Sequence, residues 1–137
     1  MRVLKNKLCL EKYLCTNSNY LGRVLHSSIR NGSNFLEIEK GRWKRLAVES
    51  RLCKQCDSKE VETEIHFVTQ CTHYNELRQK LFQIIFEVSQ GKWDLNKIEP
   101  KTMFILLMNG TGDEFEQNIF MIFQAYLVKF RNSRIED

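Results

Sequence analysis

A mostly α-helical domain organised around one cluster of cysteine and histidine is the fold class this sequence predicts, and three observations predict it. Apolar residues recur at helical spacing over two long stretches, Leu77–Val88 and Phe115–Phe130. Three cysteines and one histidine stand together as Cys53-x2-Cys56-x9-His66-x4-Cys71. A single Pro, six Gly and nine Phe fit a packed helical core better than a many-turned β-sandwich or a disordered chain.

The elements follow in chain order. Val3, Leu4, Leu8 and Cys9 predict a helix over the first fifteen residues, ended by the cap-rich run Thr16-Asn17-Ser18-Asn19. Leu21, Val24, Leu25 and Ile29 predict a second, shorter helix, closed by the turn residues Asn31-Gly32-Ser33-Asn34. Leu36 and Ile38 alternate with Glu37 and Glu39, which predicts a short extended segment before the cysteines. Beyond them, Tyr74, Leu77, Leu81, Ile84, Ile85 and Val88 line one face of a long helix, with Thr72 as its candidate cap and Gly91 as its C′ glycine. Pro100 suits the first turn of a further helix carrying the apolar run Met103–Met108. After the turn Asn109-Gly110-Thr111-Gly112, Thr111 and Glu114 have the spacing of a capping box. Phe115, Ile119, Ile122, Phe123, Tyr126, Leu127 and Phe130 form the apolar face of the last helix, with acidic residues near its start and Lys129, Arg131 and Arg134 near its end. With no internal repeat, low-complexity tract or linker, the chain reads as one domain over 1–137, in which 36–82 is the cysteine segment with its arm and 72–137 the C-terminal helical part.

Composition narrows the function classes. The net charge of +4 is mildly basic and gives only weak support for a nucleic-acid partner. The start of the chain is broken by Lys5, Lys7, Glu11 and Lys12, so it has no signal-peptide core, and Met103–Met108 is far too short to cross a bilayer. These features predict an intracellular protein, nuclear or cytoplasmic and not secreted, with no membrane partner and no small-molecule substrate. In a reducing compartment, an odd cysteine count with three of the five cysteines grouped around a histidine points to a metal before a disulfide.

The chemistry of that grouping is direct. Two cysteines three apart on a tight turn aim both sulfurs at one point, and structural zinc takes four tetrahedral nitrogen or sulfur ligands. Cys53, Cys56, His66 and Cys71 supply such a set, with Thr63 placed to cap a short turn that projects His66. Four protein ligands leave no open position, which argues against catalytic zinc. The competing reading makes the cysteines ordinary buried thiols. Cys71-x-His73 is a rival chelating pair, weaker because His73 falls in the first turn of the next helix. Cys9 and Cys15 read as core or free thiols, either of which has the chemistry to replace a ligand.

The preceding segment is basic. Lys40, Arg42, Lys44, Arg45, Arg51 and Lys54 oppose a single Glu49 between positions 40 and 54, with Trp43 among them. Lysine and arginine on phosphates, with a base or sugar stacked on Trp43, would use such an arm to hold RNA or DNA. The competing reading is a solvated arm whose Trp43 turns into the core. If the first reading holds, Arg42, Lys44, Arg45 and Arg51 form one exposed patch beside the cluster. Within the cysteine segment the sign reverses, with Asp57, Glu60, Glu62 and Glu64 against Lys59. That acidic face should repel phosphate.

The runs Leu36-Glu37-Ile38-Glu39-Lys40-Gly41-Arg42-Trp43, Arg51-Leu52-Cys53-Lys54-Gln55-Cys56, Glu64-Ile65-His66-Phe67 and Cys71-Thr72-His73-Tyr74-Asn75-Glu76-Leu77-Arg78 resemble the C-terminal zinc-binding region of invertebrate non-LTR (LINE-like) retrotransposon reverse-transcriptase polyproteins. The resemblance covers roughly residues 21–131 and is most specific over 36–82. It implies the same CCHC zinc ligands, and a role as the tail that helps a reverse transcriptase hold template RNA or target DNA. Thr72 stands where that family usually has Pro, which bears on the local turn. His73 falls at a variable family position. The chain lacks a palm-type aspartate pair, an acidic nuclease motif and a glycine-rich phosphate loop, so no catalysis of its own is expected. A zinc-closed structural or protein-interaction module, docking for instance on a reverse-transcriptase body, and a folded remnant of a retroelement are the alternatives.

Overall fold

The structure, a computed structural model, describes residues 20–32 and 34–134. The helix expected over the first fifteen residues, with Cys9 and Cys15, lies outside them. Five α-helices stand among the described residues: α1 (Tyr20–Arg30), α2 (Glu37–Trp43), α3 (Asn75–Val88), α4 (Pro100–Asn109) and α5 (Glu116–Asn132). Short 3-10 turns cover Val48–Ser50, Thr72–Tyr74 and Leu95–Lys97, and a π turn covers His66–Gln70. No strand forms among the described residues; the nearest approach is one antiparallel bridge between Leu52 and Val61. The mostly helical fold class therefore holds.

Helix α5 is the centre of the packing and lies against both α1 and α3. Its periodicity explains this: Ile119, Phe120, Phe123, Tyr126, Leu127 and Phe130 are all buried. Burial of a side chain of this size contributes about 1.5–3 kcal/mol. Phe67, the residue after His66, carries the core to the cysteine segment. Its ring meets Phe35, Tyr74 and Phe130 edge-on at 5.4, 5.1 and 5.8 Å, and Tyr74 stacks on Phe130 at 5.0 Å. The segment is thereby anchored to the end of α5 as well as to α3.

Pro100 occupies the first turn of α4, as its missing N–H predicts. Four local expectations shift. Thr72 does not cap α3: it opens the 3-10 turn Thr72–Tyr74, and the N-cap of α3 is Tyr74, with no side-chain cap bond. The segment Leu36–Ile38 is not extended: Leu36 is the N-cap of α2, and its carbonyl accepts from the amides of Glu39 and Lys40 at 3.0 and 2.9 Å. A four-residue alternation is too short to separate a strand from a first helical turn, and Glu37 and Glu39 there suit a helix N-terminus. The cap of α5 is not the Thr111–Glu114 pair. Asp113 Oδ1 accepts from the Phe115 amide at 3.0 Å, and the Glu116 carboxylate reaches back to the Gly112 amide at 2.9 Å. Helix α3 ends one residue earlier than expected. Gln90 takes the left-handed C′ position at φ 56°, and Gly91 follows at φ 84° with its amide on the Phe86 carbonyl at 2.8 Å.

Candidate metal centre

The cysteine segment folds back on itself through few contacts. The Cys53 amide donates to the Glu60 carbonyl at 2.8 Å and the Glu62 amide to the Arg51 carbonyl at 3.0 Å, on either side of the Leu52–Val61 bridge. This brings the Cys53–Cys56 turn over the next chain segment. Thr63 then caps the following turn as expected, its hydroxyl accepting from the His66 amide at 3.1 Å. The wide π turn from His66 to Gln70 brings Cys71 back, with the Cys71 amide on the His66 carbonyl at 2.7 Å. Buried Arg78 of α3 stabilises this turn by donating to the carbonyls of Val68 and Phe67 at 3.0 and 3.3 Å.

The four expected ligands converge. One ligand atom from each of Cys53, Cys56, His66 and Cys71 lies within 4.8 Å of every other. The Cys53 and Cys71 sulfurs are 3.7 Å apart, and His66 Nε2 is 3.4 Å from Cys56 Sγ. Ligand atoms about 2.0–2.3 Å from a common tetrahedral centre are separated by roughly 3.5–4 Å. These two separations match that range, and the whole set, within 4.8 Å, is compatible with one metal ion after a small contraction. Cys53, His66 and Cys71 are buried and Cys56 is partly exposed. His66 Nδ1 is buried and has no hydrogen-bond partner among the described residues, with the Glu60 carboxylate 3.7 Å away. A ligating histidine characteristically donates its second N–H to a carboxylate or carbonyl; here the Glu60 carboxylate faces that nitrogen but stands beyond hydrogen-bond distance.

Backbone amides surround the sulfurs. The Gln55 and Cys56 amides point at Cys53 Sγ, that of Ser58 at Cys56 Sγ and that of His73 at Cys71 Sγ. Such donors favour thiolates, the form that binds a metal. Burial pushes Cys56 up, but the Ser58 hydroxyl and amide and the His66 ring outweigh it and hold the thiol at about 6. Burial dominates at Cys53 and Cys71 and raises both. Adjacent thiolates repel one another unless a cation lies between them.

The rival ligand His73 is turned away. Its Nε2 lies 2.7 Å from the Ser133 carbonyl at the end of α5.

The basic arm divides into two kinds of residue. Trp43 is 79% exposed, so it is not a core side chain, and Arg42, Lys44 and Arg45 are exposed beside it. Arg42 pairs with Glu39 at 2.6 Å while 63% of its side chain stays exposed. Lys40 and Lys54, both about half exposed, reach Glu37 at 3.7 and 3.9 Å. Arg45 takes the left-handed C′ position of α2 at φ 59°. Arg51 departs from the expected exposed patch. Its guanidinium donates to the Leu46 carbonyl at 3.1 and 2.9 Å and to the Ile38 carbonyl at 3.1 Å, tying down the end of α2. Its stem crosses Gly41, where a β-carbon would collide with it.

Two residues near the cluster carried no signal of their role. Glu62 counted as part of an acidic surface, yet it is fully buried, and Arg134 counted only as a complement to the helix dipole. The Arg134 guanidinium donates to both Glu62 oxygens at 2.7 and 3.1 Å. The 72 positions between them hide this pairing from any local pattern.

Fold and site together define a helical protein with a Cys3His cluster compatible with a metal site. Comparison with protein-family models, with curated proteins and with solved structures finds no match for this chain. No helix among the described residues is long and apolar enough to cross a membrane.

Proposed function

We propose that Cys53, Cys56, His66 and Cys71 bind one structural zinc ion, and that the chain is a zinc-closed accessory module that holds RNA or DNA without catalysis of its own. Zinc is the ion of choice because three thiolates and one imidazole in a closed tetrahedral set suit its softness and its lack of geometric demand. Zinc bound there supplies folding free energy rather than a reactive water, since no coordination position stays open. The convergence of the four ligand atoms within 4.8 Å carries this part of the reading.

The nucleic-acid part rests on the arm. An indole 79% exposed beside Arg42, Lys44 and Arg45 combines a stacking face with cations able to neutralise successive phosphates. The resemblance to the retroelement zinc-binding region supplies the context: a tail that helps a reverse transcriptase hold its template or target. A salt titration of binding to single-stranded RNA and to duplex DNA tests it. The reading expects affinity that falls steeply with salt; salt-independent binding, or none, overturns it.

One observation favours the second reading, a protein-interaction module. Leu46, Val48 and Leu52, within nine positions of Trp43 in the sequence, are also exposed, at 42, 52 and 38%. Exposed apolar side chains along one stretch of chain suit a protein partner, a reverse-transcriptase body among the candidates.

A further inference from the structure

The clearest feature beyond the ligands is the buried ion pair beside them. Glu62 has 0% of its side chain exposed and Arg134 has 9%. One Glu62 oxygen accepts from the Glu37 amide at 2.8 Å and from Arg134 at 3.1 Å. The other accepts from Arg134 at 2.7 Å and lies 3.7 Å from Cys53 Sγ. Arg134 also donates to the Tyr74 hydroxyl at 3.0 Å, and its guanidinium lies over the Phe35 ring at 4.8 Å.

A metal binds Cys53 as a thiolate, which places a second negative charge beside a carboxylate that water cannot reach. Three thiolates around a divalent cation already leave the centre with a net negative charge. An uncompensated carboxylate there would oppose metal binding, and Arg134 is the cation in bidentate contact with it.

From this we infer that Glu62 and Arg134 are positioning residues of the metal centre: Arg134 neutralises the carboxylate beside Cys53, so that metal affinity and the seating of the chain just beyond α5 form one equilibrium. The inference rests on the metal-binding reading above. It assigns Arg134 a function in the metal site, although 63 positions separate it from Cys71. By linkage, a metal that binds more tightly when Arg134 is seated also holds Arg134 in place.

The test is a Co2+ titration of the full chain, followed by the absorption of the tetrahedral ion, with Zn2+ affinity read by displacement. Four chains are compared: the parent, Arg134→Met, Arg134→Lys and the double variant Arg134→Met with Glu62→Gln. Arg134→Met should weaken binding by roughly tenfold or more, in the range usual for partners that orient metal ligands. Arg134→Lys keeps the charge and should lose less. The double variant removes both charges and should return to within about threefold of the parent. If Arg134 matters only through packing, adding Glu62→Gln restores nothing, and that result overturns the inference. Affinity of Arg134→Met equal to that of the parent also overturns it. Should Arg134→Met fail to fold, the double variant decides: recovery of fold and affinity supports the inference, and failure of both contradicts it. A parent chain that binds neither ion removes the inference together with the reading beneath it.

Discussion

The sulfurs of Cys53 and Cys71 lie 3.7 Å apart in the folded chain, although 18 positions separate the residues in sequence. That distance is too long for a disulfide bond and right for two ligands of one ion. It makes thiol chemistry a direct reporter of the centre. With zinc bound, Cys53, Cys56 and Cys71 should react slowly with a thiol reagent. A strong chelator should make these three thiols reactive and release one equivalent of zinc. Equal reaction rates before and after chelation would count against the centre.

The choice between the two histidines is equally testable. His66→Ala should abolish stoichiometric zinc binding and lower the melting temperature. His73→Ala should retain one zinc per chain, because His73 is engaged with the Ser133 carbonyl instead. Losing that surface bond should cost about 1 kcal/mol. Metal analysis of the two purified variants decides, and loss of zinc from His73→Ala alone would reverse the ligand assignment.

A third expectation concerns pH. His26 of α1 is fully buried, with Nε2 3.1 Å from the Met108 carbonyl and Nδ1 2.9 Å from Gln124 Nε2. Burial, with Arg30 adding to it, lowers its pKa from 6.5 to about 4. Between those values the unfolded chain binds a proton that the folded chain refuses. The full stability is therefore present above pH 6.5 and is lost progressively as pH falls toward 4, by about 3 kcal/mol over the window. Acid also protonates metal ligands, so the comparison is between the zinc-saturated parent and zinc-saturated His26→Asn. The parent should lose more stability in denaturant titrations between pH 7 and 4.5. Identical pH profiles would contradict the assignment.

The arm separates binding from folding. Arg42→Ala, Lys44→Ala and Arg45→Ala together should leave the chain folded at a cost of about 1–2 kcal/mol, most of it from Arg42, whose loss removes the partner of the nearly buried Glu39 carboxylate. Arg45 already sits in a left-handed conformation, where Ala is no more strained than Arg. The triple variant should weaken binding to all nucleic-acid sequences alike and flatten the salt slope. Arg51→Ala should do the opposite: it frees the Leu46 and Ile38 carbonyls and lowers stability by about 1–3 kcal/mol. A triple variant that is folded and binds as well as the parent would leave the protein-interaction reading in front.

Much of this was legible in the sequence where the signal is local and periodic. The ligand spacing, the faces of α3 and α5, Pro100 at the start of α4 and the Thr63 cap all depend on residues a few positions apart. What was not legible depends on tertiary context. The alternation at Leu36–Ile38 became a helix because four residues cannot set a period, and because Glu62, 25 positions further on, accepts the Glu37 amide. Arg51 counted as an exposed cation until α2 placed Gly41 under its stem. His26 carried no motif, and its partners lie 82 and 98 positions away. The Glu62–Arg134 pair was hidden in the same way.

The central claim is that three cysteines and one histidine hold a zinc ion, and zinc-edge X-ray absorption on the purified full chain tests it most directly. The account predicts one zinc per chain, with three sulfurs at about 2.3 Å and one nitrogen at about 2.0 Å. It also predicts that the nitrogen contribution disappears in His66→Ala if any metal remains. A chain purified without zinc that takes none up, or a shell dominated by oxygen ligands, would contradict it.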